Sequence, residues 1–369
     1  LGVRAAGFLG APHLDRFAEL DAPPAARGVL PAGAIVVNAR CIPRLAAGPG
    51  AHDAGVLHWR CGGRTAAIRL ETAWPVADFL ARVDAHEALD ALAPRDAQEI
   101  DGRWLDEVWS LVADLGAQLA DDIPLLAAGL DLLPAAALAP LVHVIGPPAA
   151  LHVEAGATVE PFAVFDTTLG PVLVRRGATV HAFTRVVGPC YVGEHSSVAA
   201  DRISGCSIGE RCRVHGEISA TVVLGHANKS HDGFVGHSYL GRWVNLGAGT
   251  TTSNLKNTYG TVALWTPSGV RDTGLQFLGS LLGDHAKTGI GLRLTTGSVV
   301  GAGANVYGSE MPGKHVPPFS WGEAPSLGAY RLDKLLDVTA RAMARRDVAL
   351  GDDGRALLAA AYARARGGG

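Results

Sequence analysis

From about residue 150 to residue 305 an aliphatic side chain returns at every sixth position. Val153, Val159 and Phe165 open the series, and Val174, Val180, Val186, Val192 and Val198 carry it unbroken. It resumes at Ile208 and Val214, at Ile218 and Leu224, at Leu240 and Leu246, and last at Leu282, Thr288, Leu294 and Val300. A helix repeats its buried face at about 3.6 residues and a strand at about 2, so neither accounts for a period of six. A solenoid of hexapeptides does. Each hexapeptide forms one flat face, three faces close a triangular coil, and the aliphatic side chains stack along the axis. At about 18 residues per coil, the block holds about seven or eight coils of a β-helix. The phase has one long interruption, near residues 259–276. Glycine fits the scheme because tight corners need positive φ, and 25 of the chain's 47 glycines fall within residues 151–310.

Outside the repeat the pattern changes. The first residues, GVRAAGF, read as a strand, as do residues 33–40 (GAIVVNAR) and 65–70 (TAAIRL). Residues 74–92 have helical spacing at Val76, Phe79, Leu80, Val83, Leu89 and Leu92. Residues 101–121 carry the stronger helical pattern, with Trp104, Val108, Leu111, Val112, Leu115 and Leu119 among its apolar positions. Five prolines between 122 and 148 mark a linker packed against its neighbours rather than one helix. Residues 328–348 and 353–366 are Arg-rich helical patterns suited to capping the open end of a solenoid. The expected organisation is a partial α/β domain with a connector helix over 1–125, a linker over 126–148, a parallel β-helix over 149–325, and C-terminal helices over 326–369.

Composition narrows the function. A formal charge of −3 over 369 residues is too small for a polyanion-binding surface, so neither nucleic acid nor membrane is an expected partner. The most apolar stretch, residues 125–145, contains Asp131, Pro134, Pro140 and His143, which suits a membrane span badly. The five cysteines are scattered and form no CxxC pair, which argues against a disulfide framework and for a reducing cytoplasm. No basic region followed by an apolar run opens the chain as in a signal peptide. The first residue is Leu, which points to a fragment or a processed product.

Two segments go further: NKSHDGFVGHSYLGRWVNLGAGTTTSNLKNTYG at 228–260 and LLGDHAKTGIG at 281–291. Their order of His, Gly-hydrophobic-Gly and Asn-Leu-Gly-Ala-Gly-Thr resembles the hexapeptide-repeat acyltransferases. The resemblance is greatest to the bifunctional N-acetylglucosamine-1-phosphate uridyltransferase/glucosamine-1-phosphate N-acetyltransferase family, in its divergent sugar-nucleotidyltransferase branch. It covers residues 150–325 well and 30–125 loosely. It implies a left-handed coil, a homotrimer with sites between adjacent helices, acetyl-CoA as co-substrate, and an amino-sugar phosphate as acceptor. Sugar-1-phosphate nucleotidyl transfer with Mg²⁺ would belong to a full-length form, since 1–40 shows no Gly-rich basic loop.

The resemblance also assigns residues. His231 stands where the family has the general base that takes a proton from the sugar amine. A neutral imidazole near pH 7 can do this, whereas an ammonium cannot attack a thioester. Asn254 falls in the acceptor site, with Leu255 where the family has an aromatic neighbour. Phe234 replaces a tyrosine. Lys229 and Lys256, two of only five lysines, are candidates to meet a sugar phosphate with Arg202 and Arg213. Gly247, Ala248 and Gly249, with Lys287, Thr288 and Gly289, are where coenzyme A is expected, and Ser280 is a weaker candidate. A backbone N–H among them would hold the thioester oxyanion.

Two rival readings remain. His226, His231, His237 and His285 suggest a His₃ zinc site between subunits, as in γ-class carbonic anhydrases. A catalytically silent scaffold is the other. The acyltransferase reading expects no bound metal.

Overall fold

The computed structural model describes residues 5–19, 22–45, 56–83, 88–93, 96–134 and 137–367. The chain forms two compact units, residues 1–108 with 351–364, and residues 109–350 with 365–369.

In the larger unit the sixfold period becomes a parallel β-helix. One face is a nine-stranded sheet. It runs from Leu151–Val153 through Val172–Val174, Cys190–Val192, Ser207–Glu210, Val222–Gly225, Tyr239–Leu240, Ser280–Leu282 and Ser298–Val300 to His315–Val316. Each strand pairs with the same face of the next coil, Val174 with Val192 and Val192 with Ile208. The axis is filled as expected: Phe165, Val174, Val180, Val186, Val192, Val198, Ile208 and Ile218 are wholly buried. Val159 is only half-buried, and Leu224 departs further. It is 40 % exposed, and Val223 takes the inward place. Ile208 pairs with Val223, 15 positions on, so this coil is shorter than 18 residues and advances the phase.

The interruption is an antiparallel hairpin, Ala263–Thr266 with Gly269–Asp272. It is held by Val262, Leu264, Leu278 and Leu281, buried with Trp109 and Val112. Corners are tight enough to exclude a side chain in places. A Cβ on Gly209 would overlap the Leu224 carbonyl oxygen of the next coil.

Several boundaries differ from expectation. The connector helix does not begin at 101. Gly102–Trp104 is a strand paired with Cys41–Pro43, and the Trp104 indole donates to the Cys61 carbonyl at 2.9 Å. Tertiary pairing has overridden the helical period there. Helix starts at Ser110–Ala113 and continues as Leu115–Ala127, through Pro124. Leu115, Leu119, Ile123 and Ala127 recur every fourth residue and pack on Leu173 of the solenoid. The proline-rich segment also joins the fold early, since His143–Ile145 pairs with Val164–Asp166. At the other end the solenoid finishes in an antiparallel hairpin, Ser320–Glu323 with Ser326–Ala329. The helix Leu332–Ala344 buries Leu335, Thr339 and Met343. It lies along the flank rather than only over the end, because it faces Arg213, Asn245 and Lys287 from three successive parts of the ladder.

In the smaller unit a four-stranded sheet runs in the order Ile35–Val37, Arg64–Arg69, His58–Cys61, Gln98–Glu99. The two expected strands are present but shorter. The helix expected over 74–92 appears as Val76–Arg82 and Ala88–Leu92, and residues 84–87 lie outside the described residues. Trp74–Pro75 pairs instead with Val29–Leu30. The strand expected at the start reduces to a single bridge between Phe8 and Ala25, and residues 2–4 lie outside the described residues. Ile68, Leu70, Phe79 and Leu89 form one buried cluster of this unit, and Cys41, Cys61 and Ala66 another.

All five cysteines are free and buried. Burial pushes the thiols of Cys206 and Cys212 up to about 12 and that of Cys41 to about 11. Native protein should therefore react with a thiol reagent at pH 8 far more slowly than unfolded protein, which should titrate all five. Ile208→Ala should cost about 2–5 kcal/mol in denaturant unfolding, whereas a solvent-facing or loosely packed Ile208 would cost well under 1 kcal/mol.

Candidate active site

The loop carrying His231 is fixed from both sides. Lys229, 2 % exposed, turns inward and its ammonium donates to the carbonyls of His231 and His215, the latter at 3.2 Å. Burial lowers this lysine to about 8. Lys229 thus anchors the loop and is not presented to solvent within the single chain. His231 itself is exposed. The next coil holds the loop from the other side. Gly249 N donates to the Asp232 carbonyl at 3.1 Å, Phe234 N to Thr251 Oγ1 at 3.1 Å, and Thr252 N to the Phe234 carbonyl at 2.8 Å. The stacking of coils therefore brings His231 beside Gly247, Ala248 and Gly249, which lie more than a dozen residues away in sequence.

The N–H groups of that segment are not equivalent. Gly247 N donates to the Thr288 carbonyl and to Thr288 Oγ1, both at 3.1 Å, and Gly249 N is spent on Asp232. Ala248 N donates no hydrogen bond among the described residues, while its carbonyl accepts from Gly291 at 2.7 Å. Lys287 N, Thr288 N and Gly289 N are likewise spent, on the carbonyls of Ala304, Asn245 and Val306, so of the six backbone donors expected from sequence Ala248 N is the one without an acceptor among the described residues. Thr288 is 5 % exposed, and its hydroxyl also meets Thr250 Oγ1 at 2.8 Å, so its side chain braces the two adjacent coils. Ser280 is wholly buried and out of reach of a ligand in solvent.

Asn254 joins a second cluster. Its Nδ2 donates to His237 Nδ1 at 2.8 Å, and the His237 ring stacks on Phe277 at 5.2 Å. Burial lowers the pKa of His237. Gly236 lets this cluster close, because a Cβ there would run into the Phe234 ring and the Asn254 amide. An aromatic ring does stand beside Asn254, supplied by Phe234 rather than by position 255. Leu255 pairs instead with Phe277. Lys256 turns its ammonium to the Thr261 carbonyl beneath the hairpin, and Arg202 is exposed in a strand paired with Glu217.

Lys287 lies in a cleft that sequence reasoning did not foresee. The cleft has a volume of about 390 Å³ and lies between the solenoid flank and the helix Leu332–Ala344. Arg213, Lys287, Arg341, Arg345 and Arg346 line it, with the amides of Asn228 and Asn245. Asn228, Asn245, Lys287 and Asn305 stand in register on successive coils. The signal was present as an in-phase polar position, but it is unreadable without knowing which element covers it.

The other histidines have separate places. His226 and His285 stack on the Trp243 ring, centroids 4.2 and 6.2 Å away. Burial brings His226 down to about 4 and His285 to about 3. Among the described residues, no three His, Cys, Asp or Glu side chains converge as a metal site within the chain, and no helix is long and apolar enough to cross a membrane.

No protein-family model matches the chain. Curated relatives do. It is 30 % identical over 187 residues to the bifunctional protein GlmU of Desulfitobacterium hafniense, covering 43 % of this chain and 38 % of that one. It is 31 % identical over 107 residues to GlmU of Jannaschia sp., covering 28 % and 23 %. A bifunctional sugar-1-phosphate nucleotidylyltransferase/acetyltransferase of Sulfurisphaera tokodaii is 31 % identical over 91 residues, covering 25 % and 23 %. The chain thus spans about a quarter to two fifths of the length of these relatives. Their names agree with the resemblance carried by the His231 motif. Among solved structures, Arabidopsis UDP-N-acetylglucosamine acyltransferase aligns at 13 % identity and TM-score 0.35, covering 57 % of this chain and 79 % of that one.

The Asn254 contact gives a measurable sign. Asn254→Asp would place a carboxylate on His237 Nδ1 and favour the imidazolium. In an NMR titration His237 should lie below the ordinary imidazole value in the wild type and rise by at least about half a unit in the variant. An unchanged titration would mean that the two side chains are apart.

Proposed function

We propose that the chain is an acyltransferase that moves the acetyl group of acetyl-CoA to the amine of an amino-sugar phosphate, with glucosamine 1-phosphate as the first acceptor to test. The observation that carries this reading is the juxtaposition of the exposed His231 with the unspent Ala248 N–H on adjacent coils. Acyl transfer to an amine needs those two groups. His231 accepts a proton as the amine nitrogen forms its bond to the thioester carbon. Ala248 N donates to the oxyanion that develops there. The intermediate collapses by breaking the C–S bond, and the coenzyme A thiolate takes the proton back from His231. Thr288 and the small residues Gly247 and Gly249 leave a shallow groove for the pantetheine arm. Phe234 and Asn254 offer the acceptor sugar a ring and an amide.

The reading includes a cytoplasmic homotrimer in which the acyl donor lies between neighbouring solenoids. Lys229 has a holding role in it, because its ammonium is spent on the loop. The sugar phosphate is left to exposed cations such as Arg202. Nucleotidyl transfer with Mg²⁺ belongs to this reading only for a longer form of the protein.

The test is release of coenzyme A thiol from acetyl-CoA with glucosamine 1-phosphate. His231→Ala should lower kcat by about 10²–10⁴-fold while leaving the fold intact by circular dichroism. Equal turnover in the two proteins, or none in the wild type with any amino-sugar phosphate, would overturn the proposal.

A further inference from the structure

The cleft under the helix Leu332–Ala344 is anomalous in charge. Several other cations on the solenoid are matched by carboxylates. Arg175 meets Glu154 at 2.6 Å and Glu194 at 2.8 Å, Arg185 meets Asp166 at 2.7 Å, and Arg242 meets Glu210 at 3.2 Å. In the cleft, Arg213 and Lys287 from the solenoid face Arg341, Arg345 and Arg346 from the helix and the turn after it, and no carboxylate is among the lining residues. Arg213, Arg341 and Arg345 are exposed at the rim, and Lys287 and Arg346 are half-buried, where like charges repel more strongly because water is partly excluded. Burial and the nearby Arg213 hold the Arg346 guanidinium below its ordinary value, and burial lowers Lys287 to about 8. The chain places these charges together although its net charge is −3 and it has only five lysines.

The neutral lining also offers donors. Asn228 Nδ2 donates to Asn245 Oδ1 at 2.9 Å, and Asn245 Nδ2 has no acceptor among the described residues. Guanidinium groups pair with phosphate oxygens two at a time, and a lysine adds a point charge. A single carboxylate would leave most of the charge unbalanced. A diphosphate brings enough negative charge and enough oxygens for donors on both walls, and a cleft of about 390 Å³ has room for it.

We propose that this cleft binds the phosphate groups of an organic diphosphate, gripped within one chain between the solenoid and the C-terminal helix. The site does not depend on the acyl-transfer reading. Two molecules carry the required chemistry: the phosphate-bearing end of coenzyme A and a nucleoside diphosphate sugar. In either case the ligand ties the helix to the solenoid by screening the repulsion across the seam.

The experiment is calorimetric titration of the full chain with inorganic pyrophosphate at physiological salt. Saturable binding of one pyrophosphate per chain is expected. Lys287→Met and Arg346→Gln should each weaken it about tenfold or more, as loss of a charge-assisted contact does. Arg176→Gln, on a distant part of the solenoid surface, should leave it unchanged. Thermal unfolding without ligand shows whether each variant is folded, and pyrophosphate should raise the melting temperature of the wild type more than that of Arg346→Gln. Competition by adenosine 3′,5′-bisphosphate would assign the site to coenzyme A, and competition by UDP to a sugar nucleotide. Absence of saturable binding in the wild type, or equal weakening by Arg176→Gln, would overturn the proposal. Because no turnover is read, this result stands apart from the acetyltransferase assay.

Discussion

One aliphatic side chain per face, stacked on its counterpart one coil away, is the contact on which the rest of the larger unit depends. It is repeated at Val174, Val192 and Ile208 along one face and at Val180 and Val198 along another. Once those positions are filled, the backbone ladder is in register and every residue between them has a fixed neighbour in the next coil. Outward-facing side chains inherit that order. Asn228, Asn245 and Lys287 form a line because the residues beside them pack the core. The same rule sets His231 against the segment of Gly247, Ala248 and Gly249. A point of chemistry is thereby made from residues far apart in sequence, without a helix or a long loop to position them.

Legibility follows from the same constraint. A period of six can be counted, so the solenoid and the place of its interruption could be read from residues alone, whereas one face of the ladder runs to nine strands, more than the seven or eight coils that about 18 residues per coil implies, and the hairpin that fills the interruption was not legible. Leu224 could not be, because the coil after Ile208 is 15 positions long and only the paired structure reveals the shift to Val223. The helix expected to start at 101 failed for a different reason. Trp104 satisfies the helical pattern, but its indole and backbone are better used across a strand pair with Cys41. Local spacing carries no information about such a partner.

Side-chain roles were legible unevenly. His231 was marked by its motif and stands exposed. Lys229 was equally conspicuous as a rare lysine, yet its ammonium is turned inward onto two carbonyls. Sequence gives the charge of a residue but not the direction it faces at a corner. The cationic cleft was illegible for a related reason. Arg341, Arg345 and Arg346 read as the polar side of an end cap, and only the docking of their helix along the flank sets them against Arg213 and Lys287.

The proposed acyl transfer lies at a junction between coils of the solenoid and not in the N-terminal sheet. Hydrogen exchange of the full chain with and without coenzyme A tests that location most directly. Slowed exchange is predicted for amides at Gly247, Ala248, Gly249, Lys287 and Gly289. Protection confined to residues 5–108, or none at saturating coenzyme A, would contradict it.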